Sequence, residues 1–551
     1  GDVYFSAYSD TLDLTAGTMF SNVYFGLGDD TFNISNPEAN PIAGSTYEKP
    51  YTVFVGALTS DGGLLNVNMS GRSRMVFNNQ EVIDEGVQID TLTITDEADI
   101  GFVVDSTATT ANTALVYAPV LNIIGTDFEI SPALENIAVG GYSQRFIQTA
   151  SDLSSYADSI NDHLSGDQPF IYNVSLAIED VVGGDQAITA TFGIKTADEI
   201  GLNTAQAPSL SAVLSHFGRH SSLETALTSI ATQADFISAY DQILPHYGDG
   251  TMRQLSMLAS SANGSVSQHM QLVKAGGRNG GEGWLQQFGD YRKQDATTES
   301  DTLRGDSYSI AYGYDAPILG LDALGLFTQL SFSNVDEKSS SVNEVSSESW
   351  AIGAYLAHEI GPVGIELTAQ GGTVEFESER IGRFGNVSDI LRDGWDGTSF
   401  AASAKLAVPI LTGRHSLQAE LGTDFFSLEQ DAHTEKSVYD AKLAVHVGTA
   451  TSELTTNHFG LRGQANYGGG SPVAIKWSPN YYIGYQSVGT YQPFSSNVNF
   501  VGSNESFVME TATEVADQTN IGFGVSAHND YFAVELSYRA AFGDDVNVQG
   551  G

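Results

Sequence analysis

Two aspartates in a glycine-rich turn are the first residues whose type and spacing could bind a ligand. Asp29 and Asp30 belong to the segment GLGDDTFNI at positions 26–34. This segment follows part of the calcium-binding nonapeptide pattern, in which carboxylates and carbonyls of a turn supply oxygen ligands. Such ions lie between stacked repeats, and the sequence has one copy. The segment predicts either a calcium site at Asp29 and Asp30 or two solvated turn residues, and the second is favoured.

Histidines are the other candidate metal ligands, and their spacing argues against that role. His216, His220, His246 and His269 fall in a helical region, but no HExxH pair occurs. The chain has no cysteine, which excludes thiolate nucleophiles and cysteine-based metal sites. It also lacks GxSxG, P-loop and dinucleotide-binding signatures. The sequence therefore predicts no enzyme, no cofactor and no metal centre, with these histidines in packing or surface positions.

Charge and hydropathy narrow the class of protein. Asp and Glu number 67 against 23 Lys and Arg, a formal net charge of −44. This excess repels the phosphates of nucleic acids, so a nucleic acid is not an expected partner. No stretch approaches the roughly 20 consecutive apolar residues of a membrane-spanning helix. Strands of outer-membrane barrels also lack such runs, because they alternate apolar with polar residues.

The first part of the chain is predicted to be β-structure. Residues 1–132 are short alternating runs separated by Gly, Asn, Asp and Ser, with turns every ~20 to 25 residues, which favours a right-handed β-solenoid. A β-sandwich is the alternative. Residues 133–206 change in texture and end in two runs that read as a hairpin. Since a solenoid end exposes unpaired strand edges, we predict that this region caps the solenoid.

Residues 207–282 are the predicted helical linker. Pro208, Ser222 and Asp235 mark helix starts, and Pro245 marks a stop. The stretch 251–275 then runs without proline; at 1.5 Å per residue it would span roughly 37 Å, enough to cross a bilayer. It is too polar to face lipid, so we predict that it passes through a polar pore. A glycine-rich hinge at 275–283 follows.

Residues 283–551 are predicted to form a barrel with charged side chains inside. In RHSLQAELGTDFF, Arg414 and Glu420 alternate with apolar residues, and in YFAVELSYRAAF, Glu535 and Arg539 do the same. Alternation also fits a soluble sandwich, but long strands with Tyr and Trp near their ends favour a membrane barrel with aromatic girdles. We therefore predict that these four charged residues line a wetted pore.

The strand count leaves one strand to be found. Eleven candidate strands lie at 283–292, 306–318, 322–335, 346–360, 363–378, 395–410, 414–429, 449–466, 471–487, 517–529 and 531–543. Single-chain bacterial barrels have an even number, and a twelfth strand would begin at Val546, where only VNVQGG remains. The predicted fold is all-β with a helical linker. A β-solenoid stem precedes a 12-stranded antiparallel transmembrane β-barrel, whose last strand is absent from this chain and whose pore holds a helix.

This order of parts resembles a monomeric autotransporter of type V secretion. IYNVSLAIED, KTADEIGLNTAQAPSL and FISAYDQILPHYGDGTMRQL are similar to the junction that precedes the barrel in that family. GWLQQFGDYR and YSIAYGYDAPI look like its first two barrel strands, and YFAVELSYRAAFGDD like the penultimate one. The resemblance covers residues 135–551, and the region before them only in texture.

The resemblance implies a location, partners and one further candidate site. It implies an outer-membrane barrel, assembled by the barrel-assembly machinery and surrounded by outer-membrane lipid and lipopolysaccharide. Its solenoid passenger, an adhesin-like protein, would stand at the cell surface, with residues 133–206 as an autochaperone-like region. Some members release the passenger when an asparagine side chain attacks the backbone inside the barrel, which makes Asn263 and Gly264 a candidate cleavage site.

Three further expectations concern the chain start and the alternative functions. Residues 1–20 lack a basic segment followed by an apolar core, so we expect the chain to begin within a longer polypeptide. One alternative function is a surface β-solenoid adhesin without a membrane barrel. The other is a plugged outer-membrane channel.

Overall fold

The computed structural model of the 551-residue chain describes most of its length. The described residues are 1–36, 51–78, 86–106, 113–135, 141–165, 169–245, 249–276, 281–296, 302–338, 342–440, 442–468, 473–511, 516–529, 531–544 and 546–551. They form two compact units. The first contains residues 1–201 and 213–237, and the second contains residues 202–212 and 238–551.

The first unit is built on parallel sheets. Its strands are β1 (Val3–Tyr4), β2 (Thr11–Leu14), β3 (Thr18–Phe20), β4 (Val23–Phe25), β5 (Asp30–Asn36), β6 (Thr52–Val55), β7 (Leu58–Ser60), β8 (Leu65–Gly71), β9 (Ser73–Asn78), β10 (Val87–Gln88), β11 (Thr91–Thr95), β12 (Asp99–Val104), β13 (Val116–Tyr117), β14 (Val120–Ile124) and β15 (Glu129–Leu134). Three sheets run in the orders β1-β4-β7, β2-β5-β8-β11-β14 and β3-β6-β9-β12-β15.

Neighbouring strands in these sheets come from successive coils and pair in parallel. Thr11 is opposite Thr31, Thr31 is opposite Asn66, and Thr91 is opposite Val120. Alternate side chains such as Phe32 and Ile34 are fully buried, so each coil buries its apolar residues by stacking on its neighbours. These parallel sheets match the predicted solenoid fold. A β-sandwich, which is built of antiparallel sheets, is not the architecture of this region.

A fourth sheet changes from parallel to antiparallel pairing. It contains β16 (Tyr142–Thr149), β17 (Tyr172–Asp180) and β18 (Gln186–Ile194), in the order β10-β13-β16-β18-β17. Strands β17 and β18 are the predicted hairpin. Two short 3-10 turns, Ser154–Tyr156 and Ile160–His163, lie between β16 and β17. Asn161 in the second turn bonds both backbone groups of Leu176 and so covers part of the free edge of β17.

Five helices follow among the residues that the structure describes. They are α1 (Ala197–Ile200), α2 (Leu210–Phe217), α3 (Ser221–Thr228), α4 (Gln233–Tyr240) and α5 (Asp249–Gly276), and a 3-10 turn at Ala207–Ser209 precedes α2. Helix α1 is a single turn fixed by a capping box between Thr196 and Glu199, and it ends at Gly201 with φ of 85°. No helix in the described part of the chain is long and apolar enough to cross a membrane.

Twelve antiparallel strands of the second unit close into a ring. They are β19 (Glu282–Gln294), β20 (Thr302–Ala316), β21 (Ala323–Lys338), β22 (Val342–Ile360), β23 (Val363–Phe384), β24 (Val387–Leu411), β25 (His415–Gln430), β29 (Ala450–Ala465), β31 (Lys476–Gln492), β34 (Gln518–His528), β35 (Ala533–Gly543) and β36 (Val546–Gly550). All eleven strands predicted from the sequence are present.

The expectation that the twelfth strand is absent from this chain was wrong. Strand β36 pairs with β35 on one side and with β19 on the other, so it closes the ring. Gly289 and Gly551 also exchange two backbone hydrogen bonds, at 2.9 and 3.0 Å. The strand escaped the sequence analysis because it has only five residues, too few for alternation to be recognised.

The faces of the ring identify it as a barrel rather than a two-layer core. Leu285, Leu326 and Leu536 are 72%, 66% and 81% exposed on the outside, whereas Asp315 and Glu420 are only 3% and 2% exposed inside. A soluble sandwich would have the opposite distribution. Apolar residues outside and charged residues inside are what a barrel in lipid requires.

Shorter strands occupy the connections of the barrel. They are β26 (His433–Thr434), β27 (Lys436–Ser437), β28 (Val445–Val447), β30 (Tyr467–Gly468), β32 (Ser495–Phe500) and β33 (Ser506–Glu510). Four of them form a small sheet in the order β26-β28-β32-β33, which we call the rim sheet. It is built from the connections that follow β25 and β31, both at the end of the barrel where β19 finishes. Strand β27 pairs with β24 at the same end.

Candidate functional site

Helix α5 lies inside the barrel and packs one face against its wall. Its buried apolar residues recur every three or four positions, which makes a single apolar stripe. They are Met252, Leu255, Leu258, Ala259, Ala262, Val266 and Met270. The wall residues in the same cluster include Trp284, Phe288, Phe327, Tyr355 and Phe376. Because the stripe is one-sided, the helix lies against part of the wall and leaves the rest of the lumen open.

Polar contacts hold the first turns of the helix. Arg253 Nη1 donates to Gln294 Oε1 at 3.1 Å, and Gln254 Nε2 donates to Ser307 Oγ at 2.8 Å. Gly250 allows this close approach, because a Cβ there would lie 2.3 Å from Leu303 Cδ1. The start of α5 therefore packs against the end of β19 and the beginning of β20, on the lumen side of the wall.

An ion pair of the wall contacts the middle of the helix. Arg539 on β35 pairs with Asp290 on β19 at 2.5 Å, across the short closing strand. Ser261 Oγ donates to Asp290 Oδ2 at 3.1 Å, and the Arg539 guanidinium donates to Ser261 Oγ. One helix hydroxyl thus bridges two wall charges that already neutralise each other.

A larger charge network contacts the helix further along. Glu420 pairs with Arg462 at 2.8 Å and with Lys405 at 3.6 Å, and Lys405 also pairs with Glu366 at 3.4 Å. Lys405 Nζ donates to Ser267 Oγ at 3.0 Å, and that hydroxyl donates to Glu366. Again a serine of α5 joins a network whose charges lie on the wall.

The last turns of the helix meet a buried cluster of four side chains. His269 Nε2 lies 2.7 Å from Asp315 Oδ2, which also accepts a hydrogen bond from the Tyr355 hydroxyl at 2.5 Å. Trp284 Nε1 donates to that hydroxyl at 2.8 Å, and its ring stacks on His269. We call these residues the His269 cluster. In this cluster a titratable side chain of α5, His269, contacts a carboxylate of the barrel wall, Asp315.

The open side of the lumen is a cavity of about 350 Å³ beside α5. Ser256, Ser260 and Gly264 face it from the helix, at four-residue spacing. Three of the four predicted pore residues line it, namely Glu420, Glu535 and Arg539. Glu535 accepts a hydrogen bond from Asn480 Nδ2 at 2.8 Å.

The fourth predicted pore residue is placed elsewhere. Arg414 lies in the turn before β25, is exposed, and holds its guanidinium 4.8 Å from the centre of the Tyr467 ring. The sequence prediction extended the alternation of β25 one residue beyond its start at His415, and so it assigned Arg414 to the lumen face.

The candidate cleavage residues lie in the middle of α5. Asn263 is 9% exposed, and its Oδ1 has no hydrogen-bond partner. Gly264 faces the cavity, where a Cβ would have no heavy atom within 4 Å. The peptide bond between them thus lies beside open space inside the barrel.

The candidate metal ligands do not converge in the described residues. Asp30 is fully buried and accepts the backbone N–H of Asp10 at 2.8 Å, whereas Asp29 is exposed. His216 and His220 have their ring centres 4.8 Å apart, and His246 lies outside the described residues. No group of three or more His, Asp or Glu side chains suited to a metal was found among the residues that the structure describes.

Several residues of the site were missed from the sequence. Asp290, Asp315, Lys405 and Arg462 all lie on the lumen face of strands that were correctly predicted. The same alternation that placed Glu420 inside would have placed them inside as well, had it been followed along every strand. Their pairing across strands has no signal in a single sequence.

These features define the class of the second unit: an outer-membrane β-barrel that encloses a polar helix. Residues 283–539 match the family model of the autotransporter β-domain. These residues therefore correspond to an autotransporter β-domain, and that family is one of transport and secretion domains.

Solved structures of similar fold include three autotransporter domains. The translocator domain of NalP from Neisseria meningitidis is 15% identical, with 53% of this chain and 95% of that chain covered and a TM-score of 0.37. The β-domain of Bordetella BrkA is 14% identical, with 49% and 98% covered and a TM-score of 0.34. The transport unit of AIDA-I from Escherichia coli is 11% identical, with 49% and 88% covered and a TM-score of 0.33. A search of curated proteins found no match.

Proposed function

We propose that the barrel anchors this protein in the outer membrane and supports export of the residues before α5 to the cell surface. The observation that carries the proposal is the polar helix in the lumen. It is continuous in sequence with the preceding residues, and beside its apolar stripe it contacts wall residues through polar side chains such as Gln254, Ser261 and Ser267. The exposed apolar outer face would contact outer-membrane lipid and lipopolysaccharide, and the barrel-assembly machinery would insert it.

The proposal assigns a role to each part of the chain. Residues 1–132 are the passenger stem, 133–206 its cap and autochaperone-like region, 207–282 the linker with the pore helix, and 283–551 the translocator. Export needs no nucleotide motor in this scheme, because folding of parallel coils outside the cell propagates from a formed edge. The passenger would act as an adhesin-like surface protein, a role that a stacked-sheet surface can fill without a catalytic cluster.

Two engineered cysteines test the topology, because the natural chain has none. Val182 is fully exposed at the tip of the β17–β18 hairpin, and Ile318 is 46% exposed in the connection after β20, at the end of the barrel opposite the rim sheet. In intact cells, a membrane-impermeant maleimide should label Val182→Cys but not Ile318→Cys. After permeabilisation it should label both. Labelling of Val182→Cys only after permeabilisation would contradict surface display.

The barrel itself is tested by heat modifiability. Without boiling, the protein in SDS should migrate as a compact species, and it should shift on boiling, because a closed barrel resists the detergent. The alternative of an adhesin without a membrane barrel does not fit the closed ring, and a protein of that kind would dissolve without detergent.

A plugged channel is the second candidate function, and the cavity beside α5 is the observation that favours it. Deletion of residues 251–275 should raise conductance in planar bilayers under either hypothesis. Export separates the two: the deletion should abolish surface labelling at Val182→Cys if the protein is a translocator. Retained surface labelling with raised conductance would favour the channel.

A further inference from the structure

A buried arginine joins three parts of the second unit at the rim of the barrel. Arg380 on β23 is 3% exposed and points inward. Its Nε and Nη2 donate to the two oxygens of Glu435, both at 2.7 Å, and Nη2 also donates to Leu443 O at 2.9 Å. Its Nη1 donates to Gln242 O at 3.1 Å. Glu435 and Leu443 belong to the connection that supplies β26 and β28, and Gln242 belongs to the segment that leads into α5.

Two residues near Arg380 on β23 also contact or leave room for these segments. The Arg383 backbone N–H donates to Gln242 Oε1 at 2.9 Å. A Cβ at Gly382 would lie 2.9 Å from Leu443 Cδ1 and 3.2 Å from Gln242 O. The glycine therefore leaves room for both segments against β23. Glu435 is held from a further side, because its Oε2 accepts the Val445 N–H at 3.1 Å.

The charge arrangement explains why the contact is directional. A bidentate arginine–carboxylate pair leaves the remaining guanidinium N–H groups aimed in fixed directions. Here those groups meet two backbone carbonyls, one from the rim sheet connection and one from the segment before α5. If the arginine were removed, Glu435 would be left buried without its counter-charge, which is far more costly than losing an exposed ion pair.

We propose that Arg380 is a latch: it fixes the segment around Gln242 to the rim of the barrel and thereby retains α5 in the lumen. The inference goes beyond export, since it concerns how the lumen stays filled in the folded protein. Arg380 acts as a positioning residue through the Gln242 carbonyl and the Glu435 carboxylate.

The chain offers a matched control for this latch. Arg392 on β24 pairs with Glu379 on β23 at 2.7 Å, but their side chains are 62% and 46% exposed on the outer face. Leu391, its neighbour in sequence, lies opposite Arg380 in the strand register. The control therefore removes an arginine–glutamate pair from the same two strands at the same height, without touching the segment before α5.

The first measurement uses a reporter cysteine at Leu244, which is 5% exposed and two residues beyond Gln242. Full-length Leu244→Cys protein is purified in detergent, with Arg380→Gln or Arg392→Gln added, and maleimide labelling rates are compared. We expect Arg380→Gln to raise the rate by about 10- to 100-fold, because the segment loses the hydrogen bond that a charged donor makes to the Gln242 carbonyl. Arg392→Gln should change it less than threefold. An equal rate in the two variants overturns the latch.

The second measurement tests retention of the helix. Single-channel conductance in planar bilayers should show frequent large openings for Arg380→Gln and the unmodified pattern for Arg392→Gln. Heat modifiability confirms that each variant is a folded barrel. The double variant with Arg380→Met and Glu435→Leu keeps apolar packing and leaves no unpaired buried charge. Its reporter cysteine should still be labelled fast, and its channel should still open often. Closed channels in both folded variants would overturn the retention claim.

Discussion

Replacing Asp315 with alanine should loosen the C-terminal half of α5. The carboxylate is 3% exposed and accepts from His269 on the helix and from Tyr355 on the wall. Only the first bond is broken when the helix moves away. A hydrogen bond to a charged group contributes about 1.5–3 kcal/mol, and a stranded buried partner costs about as much. We therefore expect Asp315→Ala to favour displacement of the helix end by about 2 kcal/mol, or about 30-fold at 1.36 kcal/mol per tenfold.

The assay is maleimide labelling of Met270→Cys, one residue beyond His269 and 2% exposed in the parent chain. Adding Asp315→Ala should raise its labelling rate about 30-fold. Asp315→Asn, which keeps an acceptor for Tyr355, should raise it less. Asp322→Ala is the control, because Asp322 is exposed and lies 3.4 Å from half-buried His358 near the same end of the barrel, and pairs at the surface contribute little. A rate unchanged by Asp315→Ala, or equally raised by Asp322→Ala, would refute the reasoning.

Three further predictions use other positions. Gly250→Ala should lower the temperature at which the compact gel species converts, since overpacking costs about 1–3 kcal/mol. Gly264→Ala, which faces open space in the same helix, should leave that temperature unchanged or raise it. The candidate cleavage at Asn263 predicts two fragments on a denaturing gel in place of one 58.6 kDa chain, and their loss in Asn263→Gln; a single species in the parent chain would contradict it. The backbone N–H of Thr196, then its hydroxyl and the Asn173 amide, lower the pKa of Glu199. The stability that Glu199 adds should therefore be present above the usual carboxyl pKa and lost as pH falls through the lowered value. The melting temperatures of the wild type and of Glu199→Gln should differ at neutral pH and coincide in acid.

Strand positions in the barrel could be predicted because lipid outside and water inside impose alternation on every crossing strand. The prediction stopped short where that constraint ends. Strand β23 was predicted to end at 378 but continues to Phe384, and β24 begins at Val387 instead of 395. In these extensions the outward residues include Glu379 and Arg392, which are exposed. Above the lipid both faces tolerate polar residues, so alternation of polarity no longer marks a strand.

The rim sheet and the latch had no local signal at all. The strands of the rim sheet have two to six residues, shorter than periodicity can detect. Arg380 and Glu435 are 55 positions apart, and Arg380 and Gln242 are 138 apart. Each reads in sequence as an ordinary charged or polar residue of a strand or loop. Their contacts depend on closure of the barrel, which brings a distant connection and the segment before α5 to one strand.

The distribution of charge partners explains how one barrel could hold a helix and also let a chain pass. The pairs Glu420 with Arg462 and Arg539 with Asp290 are complete within the wall, and α5 adds only serine hydroxyls to the networks around them. If the helix leaves, water can replace a hydroxyl at little cost, and no wall charge in these pairs is left without its counter-charge. The His269 cluster and the Arg380 latch differ, because there the helix or the segment before it fills a specific buried position. Retention of α5 would then depend on the two ends of the helical segment, and the middle of the lumen would still allow a chain to pass. Deleting 251–275 should accordingly leave a heat-modifiable barrel, whereas a barrel that fails to fold without α5 would show that the helix is part of its core.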